Sequence, residues 1–329
     1  MLASAALQPL AELLVVDLTR YLPGAYASRE LLRLGARVVR LEAPEGDPMR
    51  QVAPAWDAAL GAGKESVACD LKSETGRELA QALFARADVV LEGFRPGVAA
   101  RLGVGPDDVP ERTVYCSITG FGAEGQHVDR AGHDLNYLGW AGVLEDTAPA
   151  LPPLQPADLA AGALAATAEI LAALLVRERT GRGARLTISM THGAHRLVAH
   201  RLGGDPLPRF LTGGLACYRI YATADSRHLT VGALEPKFFV RLCEVLGRPE
   251  LADLHLDANR QEELGAELAA VFASRPLTEW LERFDGEDVA AGPVATLAEA
   301  AAAFGEKGDA PSPGIGEHTA LWQRELGFG

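Results

Sequence analysis

Short apolar runs alternate with amphipathic segments along the first 190 residues. Apolar runs of strand length occupy 13–18, 37–41, 88–91, 113–118 and 185–189. Apolar residues at helical spacing occupy 25–34, 74–86 and 157–179. Strands separated by helices are typical of a parallel sheet that is covered on both faces. The pattern therefore predicts an α/β fold for this part of the chain.

The pattern changes after residue 200. A stretch rich in glycine and proline, 202–208, predicts a linker. Beyond it, 217–222 and 228–233 have the character of two strands joined by a short polar turn, which indicates an antiparallel hairpin. Helical segments are predicted at 236–247, 257–274 and 276–284. We expect these elements to form a small α+β domain over 215–299.

The composition limits the possible partners and the compartment. Hydrophobic residues make up 48% of the 329 residues, which is enough to build a substantial core. The formal net charge of −13 repels nucleic acid and anionic membranes, so neither is expected as a partner. Four dispersed cysteines without a CxxC pair, and the lack of a basic leader in 1–14, predict a cytoplasmic protein. The apolar run 159–176 contains Glu169 and is interpreted as a buried helix.

Three segments match known motifs only in part. Residues 120–125 fit the dinucleotide pattern GxGxxG, but no apolar helical period follows them. Residues 61–66 resemble a phosphate loop with Glu65 in place of the required hydroxyl. Neither a nucleotide cofactor nor a metal is predicted. The following histidines lack the cysteine or HExxH partners of a zinc site and are interpreted as surface residues: His192, His195 and His200.

A set of segments spread over nearly the whole chain is much more specific. They are 18–28, 34–48, 92–97 (Glu-Gly-Phe-Arg-Pro-Gly), 117–122, 130–137 (Arg-Ala-Gly-His-Asp-Leu-Asn-Tyr), 232–239 (Gly-Ala-Leu-Glu-Pro-Lys-Phe-Phe) and 316–319 (Gly-Glu-His-Thr). The set resembles the family III CoA-transferase superfamily, the carnitine dehydratase and bile-acid-inducible protein family. Within it, the chain is most similar to the alpha-methylacyl-CoA racemase branch.

The resemblance implies a fold, a substrate and an assembly. The fold is a Rossmann-like, CoA-binding large domain over 1–200, completed by about 300–329, together with the small domain over 215–299. The substrate is an acyl-CoA thioester, which needs no further cofactor, and two subunits interlock like chain links in a homodimer. The leading hypothesis is a racemase that interconverts R and S 2-methylacyl-CoA thioesters by 1,1-proton transfer.

The resemblance also assigns three catalytic residues. Racemases have Gly-His-Asp where transferases usually have tyrosine before the aspartate, and this chain has Gly132-His133-Asp134. His133 and Asp158 match the two acid/base groups, and Glu235 matches a glutamate that orients His133. Inverting a carbon beside a thioester requires proton removal on one face and proton return on the other. A backbone N–H at the start of the helix near Asp158 is predicted to stabilise the enolate oxygen.

CoA carries several phosphate charges, so a protein of net charge −13 must offer dedicated cations. Arg40 and Arg95 stand at predicted strand ends, where parallel sheets bind ligands, and the resemblance places both near CoA. Lys64 and Arg50 are weaker candidates. Members of the family usually have Asn-Arg-Gly-Lys-Arg-Ser where this chain has Gly-Ala-Gly-Lys-Glu-Ser at 61–66, which predicts an altered affinity for the adenine end.

Two alternatives to a racemase are open. A family III CoA-transferase would use Asp158 as the nucleophile that takes CoA through a mixed anhydride and a thioester. A non-catalytic CoA-ester-binding protein is suggested by the altered segment 61–66. Without the resemblance, Asp158 at the start of a long helix is interpreted as an N-cap, and His133 as a solvated loop residue.

Overall fold

The computed structural model describes residues 8–204, 209–305 and 311–328. The chain divides into two compact units, Met1–His200 with Gly308–Gly329 and Arg201–Lys307. Part of the predicted linker, 205–208, lies outside the described residues.

The first unit contains a six-stranded, fully parallel sheet in the order β3-β2-β1-β4-β5-β6. The strands are β1 Leu14–Asp17, β2 Arg37–Glu42, β3 Glu65–Ala68, β4 Val89–Glu92, β5 Val114–Thr119 and β6 Arg185–Ser189. The order reverses between β1 and β4, because the chain starts in the middle of the sheet and builds outward in both directions. The predicted α/β class is confirmed, and β3 is a strand that the apolar pattern did not predict.

Helices cover both faces of this sheet. They are α1 Tyr21–Arg33, α2 Met49–Val52, α3 Pro54–Gly61, α4 Glu74–Arg86, α5 Val98–Arg101, α6 Asp134–Trp140, α7 Ala165–Thr180 and α8 Met190–Val198, with a π-helical segment Ala157–Leu164 directly before α7 and 3₁₀ turns at Pro106–Asp108 and Ala199–Gly203. Strand residues alternate between two cores: Val15 packs with α1 and α7, and Val16 packs with α4. Each face of the sheet is therefore sealed by its own apolar cluster.

The continuous helix Ala157–Thr180 is long and apolar enough, by length and composition alone, to cross a membrane. In the structure it packs against α1, β5 and α8, and Ile170 and Ala166 are fully buried. These contacts are those of a core helix, as its interpretation from the sequence proposed.

The second unit is built on a three-stranded antiparallel sheet in the order β7-β8-β9. Its elements are β7 Tyr218–Ala222, β8 His228–Gly232, α9 Pro236–Leu246, a 3₁₀ turn Pro249–Leu254, α10 Gln261–Phe272, α11 Leu277–Phe284, β9 Ala291–Pro293 and α12 Leu297–Phe304. The predicted hairpin is confirmed by the pairing of β7 with β8. Trp280 and Phe239 anchor the separate core of this unit.

The C-terminal segment returns to the first unit as α13, Thr319–Leu326. Trp322 is fully buried, and its indole Nε1 donates to Glu65 on the edge strand β3 at 2.6 Å. The His318 N–H donates to the carbonyl of Ser66 at 2.9 Å. The last helix therefore packs on the edge strand of the sheet and on α4.

Candidate active site

A cavity of about 480 Å³ lies at the carboxyl ends of β1, β4 and β5. This is the point where the strand order reverses, and open parallel sheets bind their ligands there because loops on the two sides leave in opposite directions. The cavity, called here the site cavity, is lined from separate elements by Arg20, Gly93, Arg95, His133, Asp158 and Met190, among others.

His133 is the residue that immediately precedes α6, and its side chain is exposed at the site cavity. Its backbone N–H donates to the side chain of Asn136 at 3.1 Å, which closes the first turn of the helix. The rings of His133 and Tyr21 pack edge to face, with their centroids 6.3 Å apart and their planes at 89°. The imidazole is thus held near the end of β1 while it faces the cavity.

The loop after β5 approaches α6 closely because two of its residues are glycine. A Cβ on Gly120 or Gly132 would meet the Tyr137 ring at 2.5 or 2.7 Å. The Tyr137 hydroxyl donates to the Gly132 carbonyl and fixes the backbone just before His133. The described backbone runs as turns and bends through 121–130, so the GxGxxG match at 120–125 leads into a cavity loop and no helix N-terminus follows it.

Asp158 lies in the first turn of the π-helical segment and is partly buried at the site cavity. Its backbone N–H donates to Oδ1 of Asp134 at 2.9 Å. Burial, and then the negative charge of Asp134, raise the pKa of the Asp158 carboxyl to about 7. The carboxyl is therefore divided between its neutral and ionised forms near neutral pH.

That a backbone N–H at the start of the helix near Asp158 stabilises an enolate oxygen stays a prediction, and two of the N–H groups there are already engaged. The N–H of Asp158 is engaged by Asp134, and the N–H of Leu159 donates to the Gln155 carbonyl at 2.9 Å. Neither group is free to meet a substrate oxygen.

Tyr21 is a site residue that the sequence analysis missed. It lies at the cavity with a backbone φ of +64°, a left-handed conformation that is uncommon for residues other than glycine. Its N–H donates to Oδ2 of Asp47 at 3.1 Å, which holds this conformation in place. The position lies in the segment 18–28, but its residue type gives no signal for this conformation, because tyrosine has none of the turn preference of glycine or asparagine.

Cations line the site cavity and a second cavity beside it. Arg95, at the loop after β4, is exposed and lines the site cavity. A neighbouring cavity of about 280 Å³ lies over the ends of β1, β2 and β3 and has Lys72 in its wall. Arg20 and Phe94 line both cavities. Arg20 and Lys72 are cations that the sequence analysis did not select.

Arg40 and Arg50 lie behind the two cavities in a buried ionic cluster. Arg40 is 5% exposed and its NH2 group lies 2.7 Å from Asp57 and 3.2 Å from Asp47. Arg50 forms a bidentate pair with Glu42, at 3.0 Å from Nε and 2.7 Å from NH2. Neither arginine is among the residues that line the site cavity or its neighbour. Their charges are balanced by carboxylates of the protein.

Lys64 is also buried away from both cavities. Its Nζ donates to the Ala25 carbonyl at 2.9 Å and to Ser28 Oγ at 2.7 Å, and lies 3.8 Å from an oxygen of Asp17. Burial lowers the pKa of this amine to about 8. The following residue, Glu65, pairs with Arg37 and Trp322 rather than facing a ligand.

Glu235 belongs to the second unit, where it is exposed at the N-terminus of α9 before Pro236. Its action on His133 stays a prediction. Within 8–204, 209–305 and 311–328, no group of three or more His, Cys, Asp or Glu side chains is arranged to hold a metal ion.

Comparisons with known proteins identify the family of the chain. The model of the family described as CoA-transferase family III matches residues 10–308. Alpha-methylacyl-CoA racemase of Mus musculus is 33% identical over 359 residues, covering 95% of this chain and 92% of that protein. Succinyl-CoA:glutarate CoA-transferase of Mus musculus is 32% identical, covering 89% and 73%. The crystal structure of a CAIB/BAIF family protein from Brucella suis has a TM-score of 0.83 and 29% identity, covering 97% of this chain and 99% of its own. This chain belongs to CoA-transferase family III.

Proposed function

We propose that this protein is a racemase that interconverts R and S 2-methylacyl-CoA thioesters by 1,1-proton transfer and needs no further cofactor. The family acts on acyl-CoA substrates. The observation that carries the proposal is that His133 and Asp158 line one cavity from different elements of the first unit. Two acid/base groups around one small space are the requirement for moving a proton between the two faces of a carbon.

In the proposed reaction, one group removes the α-proton, and the electrons of the broken C–H bond enter the thioester carbonyl as an enolate. The other group then gives a proton to the opposite face, and the enolate electrons form the new C–H bond. The base gains one proton and the acid loses one, so His133 and Asp158 together hold the same number before and after. The reverse reaction exchanges their roles, and each group contributes about 10²–10⁴-fold to the rate.

Asp158 is suited to this exchange of roles. Its pKa of about 7 keeps both the acid and the base form populated at neutral pH. A carboxyl with the ordinary pKa of about 3.9 would be almost fully ionised there and a poor proton donor. Glu235 is proposed to orient His133 and keep it basic.

Phosphate recognition is proposed to begin at Arg95, because a guanidinium at the cavity wall can meet phosphate oxygens in a bidentate manner. Arg20 lies between the site cavity and its neighbour and is proposed to meet the same chain of phosphates. The proposed contribution of Arg40, Arg50 and Lys64 is indirect. Their buried contacts hold in place the strand ends that carry both cavities.

The test is hydrogen exchange at the α-carbon. The enzyme is incubated in deuterium oxide with single enantiomers of 2-methylacyl-CoA esters, and mass spectrometry with chiral separation follows deuterium uptake and inversion. The wild type should gain one deuterium and lose chiral purity. His133→Ala and Asp158→Ala should each reduce exchange at least about 100-fold. Wild-type exchange in either variant would remove that residue from the mechanism.

His192→Ala is a matched control, because His192 is an exposed histidine of α8 that does not line the site cavity. This variant should exchange the α-proton at the wild-type rate. Wild-type enzyme that leaves every tested ester without deuterium would contradict the racemase proposal.

The second candidate is a CoA-transferase in which the Asp158 carboxylate is the nucleophile. It is favoured by the 32% identity to a succinyl-CoA:glutarate CoA-transferase. In that case acyl-CoA should leave an acyl or CoA group on the enzyme that hydroxylamine releases, without deuterium uptake. Calorimetric binding of CoA esters with neither reaction would instead favour a non-catalytic binding protein.

A further inference from the structure

The contact between α6 and the π-helical segment gives a role to a residue that the proton transfer above does not use. Resting on the proposed racemase function, we propose that Asp134 is a positioning residue that aims Asp158 into the site cavity. Asp134 follows His133 directly, so one dipeptide supplies the first acid/base group and places the second.

Asp134 is the first residue of α6 and is 8% exposed. Its Oδ1 accepts the N–H of Asp158 at 2.9 Å, a contact between residues 24 positions apart in the chain. The N–H of Ala157, the preceding residue, also acts to lower the pKa of this carboxylate. One side chain of α6 thus accepts the N–H of the residue that supplies the second acid/base group.

The start of the π-helical segment needs such a partner from elsewhere. The first N–H groups of any helix have no acceptor inside the helix, and a Ser, Thr, Asp or Asn at the cap usually supplies one. Here the cap position is Pro156, whose side chain accepts no hydrogen bond. Asp134 takes over that function across the fold. Its loss would free the turn that carries Asp158.

Asp134 also acts on Asp158 through its charge. The other titratable groups at the site cavity are Arg20 and Tyr21 at the start of α1, Arg95 after β4, Arg130 and His133 before α6, and Tyr137 on α6. None of these groups is a carboxylate. The like charge comes from Asp134, beneath the cavity wall, and it raises the pKa of Asp158 beyond the effect of burial. Removing this charge should favour ionised Asp158.

Two substitutions separate position from charge. Asp134→Asn keeps an oxygen that accepts the N–H of Asp158 but removes the negative charge. Its maximal kcat should stay within about threefold of wild type, while the acidic limb of the pH profile moves down by about one unit. Asp134→Ala removes the acceptor as well, and kcat should fall about 10- to 100-fold with little change in KM, because a displaced catalytic group loses rate and not affinity.

Asp129→Asn serves as the matched control, because it removes one negative charge from the preceding loop at an exposed position outside the cavity wall. Its pH profile and kcat should equal those of wild type. The carboxyl of Asp158 is also titrated directly by ¹³C NMR on aspartate-labelled protein, with Asp158→Asn giving the assignment. A downward shift of its midpoint in Asp134→Asn supports the proposal without reference to turnover.

The proposal is overturned if Asp134→Asn leaves both the NMR midpoint and the pH profile unchanged while Asp134→Ala keeps wild-type kcat. Circular dichroism and thermal unfolding identify a variant that has merely lost its fold, and Asp134→Asn then carries the test. Failure of the racemase proposal is distinguishable, because it is seen in the wild type as missing α-deuterium uptake while the NMR comparison still reports on Asp134.

Discussion

Arg40 lies near the end of β2 and Arg95 follows β4, two strands of one sheet on either side of β1, yet their surroundings give them different tasks. Arg40 is enclosed by Glu42, Asp47 and Asp57, whereas Arg95 is exposed in the wall of the site cavity. Removing a buried cation leaves its carboxylates uncompensated, whereas removing an exposed cation leaves the fold intact and weakens only its ligand contacts.

Arg95→Ala should therefore raise KM for acyl-CoA about 10- to 100-fold, the loss of one charge-assisted contact, with unfolding free energy within about 0.5 kcal/mol of wild type. Arg40→Met should instead lower the free energy of unfolding by about 3–5 kcal/mol. Steady-state kinetics and urea unfolding measure the two quantities. If Arg40→Met is as stable as wild type and raises KM more than Arg95→Ala does, phosphate binds at Arg40.

Tyr21 offers a test of backbone strain at the same site. In an ordinary helix, alanine is more stable than glycine by about 1 kcal/mol. At a φ of +64° the order should reverse, because glycine adopts this conformation without steric cost. Tyr21→Gly should therefore be more stable to urea than Tyr21→Ala by about 1 kcal/mol. Both variants lose the ring that contacts His133, so both should lose activity. Equal stability of Tyr21→Gly and Tyr21→Ala would indicate that the backbone at position 21 relaxes out of the left-handed conformation.

At the scale of elements, the edge strand β3 and the last helix α13 depend on each other. Glu65 accepts from Arg37 on β2 and from the indole of Trp322, so it joins two strands and a helix. Trp322→Ala should lower the free energy of unfolding by about 3–5 kcal/mol, as expected for a fully buried tryptophan. Chemical denaturation measures this loss.

The same contacts change the expectation for the altered segment 61–66. Glu65→Arg restores the residue that is usual in the family, yet it should destabilise the protein and leave KM for acyl-CoA unchanged, because Glu65 faces Arg37 and Trp322. A lower KM in a stable Glu65→Arg variant would show that this position meets the CoA moiety.

The apolar pattern predicted five of the six parallel strands, because β1, β2, β4 and β5 are mostly buried and β6 alternates polar with apolar residues. It missed β3, Glu65–Ala68, whose first two residues are polar and whose place is decided by pairing with β2. It missed β9, a three-residue strand containing glycine and proline that is specified by its neighbour β8. Short elements of this kind depend on tertiary contacts that no local pattern encodes.

The candidate site was predictable only in part for a similar reason. His133 and Asp158 were selected by resemblance, but nothing local places residues 25 positions apart at one cavity. Asp134 was missed because its contact with Asp158 spans two elements, and Lys64 looked like a ligand-binding cation although Ser28 and Ala25 enclose it. Whether a charged side chain is buried is decided by the folded structure, so the local sequence does not reveal it.

At the scale of the whole molecule, the chain leaves the first unit after His200 and returns to it for α13. The helix α12 of the second unit has no buried residue along its described length, and Leu297 and Phe304 are 91% and 82% exposed. Apolar packing within its own unit therefore stabilises this helix little, and its main contact there is the ion pair of Glu299 with Arg227 at 2.8 Å. Two large apolar side chains exposed on one short helix suit an interaction surface. A second copy of the chain is the proposed partner.

The proposed interlocked homodimer makes a prediction that an ordinary dimer does not. Native mass spectrometry should give twice the 34.8 kDa of one chain. When dimers with and without an affinity tag are mixed, no mixed species should form over a day at 25 °C, because linked subunits cannot separate while folded. Mixed dimers should appear only after joint unfolding and refolding. A monomeric protein, or mixed dimers that form on simple dilution and mixing, would contradict the interlocked arrangement and leave α12 as a surface for another partner.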